Sequence, residues 1–210
     1  MDAEPETGEA RRALGFLDAT GTAALARHGI VVIEPLTTLV AAAAELEAGV
    51  VLWPGCIVEV GTAGAVAIGG GTVLFPGTRI VARAGRIRIG RNTEIGEEGG
   101  FTIKAEAETN LIEIGAHARL LGGGSLTASN RLGDGAQVLG PIRMQRCRLD
   151  SGGNYMEPDP DRRGGVLKGA GVARDIVVPQ GHVIQAFGLF AEAPLRRQSF
   201  FHPPPEHAGP

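Results

Sequence analysis

Aromatic residues are scarce in this chain, at 4% of 210 residues, and net charge is low at −3. With so few rings, the interior has to be filled by Val, Ile, Leu and Ala, which suits a narrow core. A near-neutral balance, with a pI near 6.0, gives no global electrostatic basis for binding nucleic acid or an anionic membrane. Cysteine is limited to Cys56 and Cys147, which have neither C-x-x-C nor zinc-ligand spacing; they read as reduced structural thiols. Long apolar runs are missing too, and none approaches the roughly 20 residues of a membrane-spanning helix. The opening MDAEPETGEARR is acidic and polar, without the apolar stretch of a secretory signal. The expectation is a soluble cytoplasmic protein.

What the chain does have is glycine, 33 residues of it, without a collagen period, and this points to many tight turns. It also has a period of six. Val40, Leu46, Leu52 and Val58 form one series; Ile68, Leu74 and Ile80 a second; Ile89, Ile95 and Phe101 a third. The longest runs through Ile114, Leu120, Leu126, Leu132, Val138 and Met144, and a last one is Val166, Val172, Val178 and Ile184. Glycine follows the aliphatic residue directly at Gly69, Gly90, Gly96, Gly115 and Gly133, and recurs three residues after it at Gly49, Gly55, Gly77, Gly123 and Gly135. Small residues stand four after it, among them Cys56, Thr72, Thr78, Thr93, Ala118 and Ala136.

A unit of short strand plus turn needs one large side chain pointing in, a small one at the corner, and glycine where φ is unusual. Three such units predict a triangular coil of about 18 residues, and stacked coils bury a continuous aliphatic column. The fold expectation is all-β, a parallel β-helix over residues 31–186. A Gly-rich antiparallel sandwich would instead show hairpin dipeptides flanked by alternating residues, and these are largely missing.

Breaks in the period mark loops. Stretches 59–67, 81–88 and 102–113 shift the phase and read as small loops or bulges at corners. The largest interruption, 149–165, reads LDSGGNYMEPDPDRRGG and predicts a protruding loop, a favoured place for function on a rigid scaffold. Residues 1–30 read as a tail and a helical cap, with one helix or two short ones between Glu6 and His28 covering the first coil. Residues 187–210 read as a C-terminal cap or arm carrying Phe187, Phe190, Phe200 and Phe201, with HPPPEHAGP as a disordered end.

The repeated unit of aliphatic residue, Gly, any residue, Gly, then Thr or Ala resembles the hexapeptide-repeat family of left-handed β-helices. Many of its members are acyltransferases using acetyl-CoA or another acyl-CoA; γ-class carbonic anhydrases share the architecture. The stretch ARHGIVVIEPLTTLVAAAAELEAGVVLWPG resembles the lead-in to the acetyltransferase domain of bifunctional sugar-1-phosphate uridylyltransferase/acetyltransferases. There a helix and a G-V-x-I-x-D-P-x-T-T segment precede the first coils. Gly29, Ile33, Pro35, Thr37 and Thr38 match, with Glu34 in place of the aspartate. The specific match covers about the first 60 residues, and that family's nucleotidyltransferase domain has no counterpart here. Asn154-Tyr155 is similar to the family's N-Y-D-G segment near its ligand site, but Met156 and Glu157 replace D-G.

The resemblance implies a homotrimer with its site between subunits, and an acyl-CoA-dependent transferase acting on a sugar phosphate, nucleotide sugar or small amine. Such a reaction needs a general base, for which histidine suits neutral pH. His117, projecting from a corner, and His182 are the catalytic candidates, each weighed against an ordinary surface or hydrogen-bonded histidine. Cations for phosphates come late in the chain. Asn154, Tyr155, Arg162 and Arg163 are candidates for substrate, and Lys168 and Arg174 for the cofactor, weighed against a solvated coil face. Gly122–Gly124 is expected to let a pantetheine arm run close to the backbone. No metal is expected, because no close histidine pair occurs. Glu157, Asp159 and Asp161, with prolines between them, read as a stiff exposed turn rather than acid–base carboxylates. Two other readings stay open: a non-catalytic binding or assembly subunit, and a lyase or isomerase on the same scaffold.

Overall fold

The computed structural model describes residues 3–202, and side chains from Gly8 onward. The strands are mostly short and parallel, and lie in three ladders visited in rotation. In the first ladder Val31–Val32, Val51–Leu52, Val73–Leu74, Glu94–Ile95, Arg119–Leu121 and Gln137–Leu139 lie side by side, followed by the starts of Val166–Arg174 and His182–Leu189. The second ladder runs from Leu39–Val40 to the far half of Val166–Arg174, and the third from Glu45–Leu46 to Val177–Val178. Each strand therefore pairs with the strand one coil away, and the stack makes a three-sided column.

Register explains the six-residue period. In the first ladder Leu52, Leu74, Ile95, Leu120, Val138, Leu167 and Ile184 stand in one column. The second column is Val40, Val58, Ile80, Ile103, Leu126, Met144 and Ala173, and the third holds Ile68, Ile89, Ile114, Leu132, Leu149 and Val178. All of these are buried in one cluster. Burying a branched aliphatic side chain contributes roughly 1.5–3 kcal/mol, so the three columns carry the fold.

Three sequence assignments need correction. Ile103, not Phe101, stands in the second column; Phe101 fills a corner, its ring occupying the space that a side chain at Gly124 would need. Val166 and Val172 stand one residue out of the column register, which is carried by Leu167 and Ala173. The coils also depart from 18 residues. Arg119 pairs with Gln137, 18 on, but Gln137 pairs with Val166, 29 on, and Val166 with Val183, 17 on.

The phase shifts at 59–67, 81–88 and 102–113 all fall at the corner between the second and third ladders. There the strands lengthen to four residues (Ile57–Val60 and Ala65–Ile68 in one coil), so inward side chains alternate before the turn. Corner threonines tie neighbouring coils together: Thr72 Oγ1 donates to the Gly90 carbonyl (2.8 Å) and Thr93 Oγ1 to Gly115 (3.1 Å). Cys56 is the sulfur member of another such corner, its thiol donating to the Leu74 carbonyl (3.3 Å).

At the N-terminal end lie helices Ala3–Ala13 and Ala19–Ala24 and a 3-10 turn, Leu25–His28. Asp18 caps the second helix by accepting from the Gly21 amide at 2.7 Å, and Leu17 and Leu25 pack on the core. At the other end Phe190 is fully buried, whereas Phe187 projects into solvent. The chain then turns back as Leu195–Arg197, antiparallel to His182–Leu189. His207 and the rest of the tail beyond His202 lie outside the described residues.

Candidate functional site

The long coil between Gln137 and Val166 does more than lengthen the chain. Its extra residues, 150–165, fold back over the outer side of the first ladder. Asn154 accepts from the Met156 amide (2.9 Å), Asp159 accepts from the Asp161 amide (3.0 Å), and Arg163 Nε donates to the Glu157 carbonyl (2.8 Å). Tyr155 reaches the ladder, where the Arg119 guanidinium lies 4.2 Å from its ring centroid. Arg119 is itself held by Glu94 at 2.8 Å and Glu97 at 3.5 Å.

The C-terminal arm meets this loop from the other side. Asp161 accepts from both the amide (3.0 Å) and the hydroxyl (2.9 Å) of Ser199. Those bonds, led by the Ser199 amide, hold the Asp161 carboxyl below the ordinary aspartate range. Gln198 donates through its amide nitrogen to the carbonyls of Gly164 (2.7 Å) and His182 (3.3 Å).

Between ladder, loop and arm is a cleft of about 280 Å³. Tyr155 and Arg163 line it from the loop, Lys168 and Gln137 from the ladder, and Gln198 and His202 from the arm. Leu139, Val166, Val183 and Phe201 give it an apolar wall. Cation, imidazole, carboxamide and hydrocarbon thus meet in one concave place, the general form of a small-molecule site.

Of the candidates read from sequence, the cleft gathers Tyr155, Arg163 and Lys168. The others stand elsewhere. His117 has φ 58° and follows Gly49, Gly71 and Asn92 up one corner, all left-handed; it is an exposed turn residue and does not line the cleft. His182 contributes its carbonyl to Gln198, while its ring Nδ1 donates to Gln180 at 2.8 Å. Asn154 shapes its own turn, and Arg162 is exposed, with its carbonyl bonded to Gly153 and Gln180. Arg174 lies on the second ladder, opposite Gln145. At Gly122–Gly124 the neighbouring coils come close: a Cβ at Gly122 would lie 2.7 Å from Gly140, and one at Gly124 2.7 Å from the Phe101 ring.

Gln137 and Gln198 are not among the candidates read from sequence, Phe201 reads there only as part of the cap or arm, and His202 as the start of the tail. Gln137 precedes a core residue on a strand, an outward position with nothing to mark it; only the return of loop and arm buries it. The thiols offer no nucleophile. Burial pushes Cys56 up to about 11 and raises Cys147 as well. Among the described residues no group of three or more His, Cys, Asp and Glu side chains is placed to hold a metal, and no helix is long and apolar enough to cross a membrane.

No model of a known protein family matches the sequence, and no curated protein matches it. The likeness of the lead-in segment stands on its own residues.

Proposed function

We propose that the three-ladder column is a left-handed parallel β-helix of the hexapeptide type, and that the chain is an acyl-CoA-dependent acyltransferase working in the cleft under the 150–165 loop. The observation that carries this reading is the meeting of Arg163, Lys168, His202 and an apolar wall in one cleft. In acyl transfer the acceptor nitrogen or oxygen attacks the thioester carbonyl, its proton passes to a base, and the C–S bond breaks to release the thiol. His202 replaces His117 and His182 as the imidazole placed for that proton. Arg163 and Lys168 supply positive charge for phosphates, of the donor or of a sugar-phosphate acceptor.

We place the site at the interface of a homotrimer. The support is the lower half of the same ladder face, where Val31, Ile33 and Trp53 are exposed and Trp53 stacks on Phe75 at 6.1 Å between centroids. An apolar face of this kind suits burial between copies. Sedimentation as a monomer at micromolar concentration would remove the trimer from the proposal.

A non-catalytic binding subunit is the second reading, favoured by one observation: the only histidine lining the cleft among the described residues, His202, is exposed. Calorimetry with acetyl-CoA and free CoA decides between them. Micromolar binding of both, weakened at least ten-fold by Arg163→Ala with Lys168→Ala, followed by thiol release that needs His202, supports the transferase. Binding without turnover supports the second reading, and no heat at millimolar ligand removes the CoA donor.

A further inference from the structure

Gln137 has a feature that cation-and-phosphate chemistry leaves unused. The residue is only 6% exposed, yet its side-chain amide bonds to no described residue. With the rest of the residue covered, the cleft is the one place from which that amide can take a partner. Thr38 Oγ1 is the one fully enclosed polar side-chain atom left without a partner among the described residues. The Gln137 head group is therefore still open to the cleft it lines.

Gln198, 4% exposed, adds a second element. Its amide nitrogen is committed to Gly164 and His182, so what it leaves over is the carbonyl oxygen, an acceptor. Together the two glutamines offer the cleft they line one NH₂ donor and two carbonyl acceptors. An ionised carboxylate cannot satisfy that set, because it donates no hydrogen bond. A hydrocarbon satisfies none of it. A primary carboxamide or ureido group does: its carbonyl accepts from Gln137, and its own NH₂ donates to the two oxygens. Lys168 is exposed and Arg163 half-buried, so the cleft carries its positive charge where a ligand's anionic end can stay hydrated. The volume of about 280 Å³ falls just below the usual range of roughly 300–1,000 Å³ for drug-sized ligands, so the part of a ligand held inside the cleft is small.

We infer that the cleft recognises a small organic anion carrying a primary carboxamide or ureido group, with Gln137 as the residue that reads that group. The inference rests on the cleft being the binding site, and adds the substrate class to it.

The test uses two probes of nearly the same shape, N-carbamoyl-leucine and N-methoxycarbonyl-leucine, which differ by a terminal NH₂ in place of OCH₃. Both keep the carboxylate for Arg163 and Lys168 and an isobutyl group for the apolar wall. Titration calorimetry on the full chain is expected to show the carbamoyl compound binding at least ten-fold tighter, since the ester leaves acceptors unpaired. In Gln137→Met, similar in length and without hydrogen-bonding groups, the two probes should bind within two-fold of each other while Tm stays near that of the wild type. Equal binding of both probes to the wild type, still weakened by Arg163→Ala with Lys168→Ala, overturns the amide inference and leaves the cleft as an anion site. Binding indifferent to those two substitutions, or absent for both probes at 10 mM, overturns the cleft and the inference with it.

Discussion

From Arg119 to Gln137 the chain completes a coil in 18 residues, and from Gln137 to Val166 it takes 29. The short coil is mostly stacking: Leu120, Leu126 and Leu132 point in, Gly133 to Gly135 turns the corner, and Arg119 and Gln137 at its ends meet the loop or the cleft. The long coil adds a loop that bends over the ladder, captures Tyr155 on Arg119 and locks to the arm through Asp161 and Ser199. Regular coils supply rigidity and an outer face; irregular ones supply concavity. The outer face of a bare ladder leaves its side chains open to solvent, and Gln137 is buried there because two segments distant in sequence close over it.

The sharpest way to break this comparison is to damage the regular part. Leu120→Ala removes a fully buried side chain from the middle of its column, and coils above and below cannot collapse into the gap without losing strand register. The expected cost is about 2–5 kcal/mol, read as a fall in the urea midpoint. A cost below about 1 kcal/mol would mean that the column is not what holds the coils together.

Next in size is release of the arm by acid. Asp161 is depressed by its bonds to Ser199, so its contribution is complete above the unfolded aspartate value, about 3.9, and is lost as pH falls through the still lower folded value. The arm should stay docked down to about pH 4 and loosen below it. NMR of the Ser199 amide between pH 6 and 2 should show that titration, and Asp161→Asn should flatten it. An identical profile in the variant would assign the loosening to the whole column rather than the latch.

Tyr155→Ala sharpens the comparison from the loop side. The ring is partly exposed, so its cation–π contact with Arg119 is worth about 0.5–1 kcal/mol. Stability should fall by no more than that, while affinity for ligands of the cleft falls several-fold because one wall is gone. A large loss of stability together with unchanged affinity would show that the loop braces the coils instead of forming a site.

The regular part of the molecule was legible in the sequence, and the reason is physical. The longest series, Ile114 to Met144, reads directly because each inward residue recurs once per strand-and-turn unit. Where a corner gains residues, a fixed period slips, and so Phe101, Val166 and Val172 were assigned to columns held by Ile103, Leu167 and Ala173. Tyr155, Arg163 and Lys168 could be singled out because aromatic and cationic side chains are conspicuous in and beside an interruption. Gln137 and Gln198 could not, since their burial arises from long-range packing. His117 stands out in the sequence as a histidine projecting from a corner; that signal is real but conformational.

That histidine gives the smallest effect, opposite in sign. His117 holds φ 58° where Gly49, Gly71 and Gly135 occupy the same corner, and a side chain pays for that conformation while glycine does not. His117→Gly should leave stability unchanged or raise it by up to about 1 kcal/mol, relief of the left-handed strain being partly offset by the greater freedom of glycine in the unfolded chain. Binding in the cleft should be untouched, because His117 does not line it. The urea midpoint and the calorimetric affinity of the same preparation answer both points. If affinity or turnover collapsed while the midpoint held, His117 would have to reach a ligand from its corner, and the division between coils that only stack and the coil that binds would fail where it looks most secure.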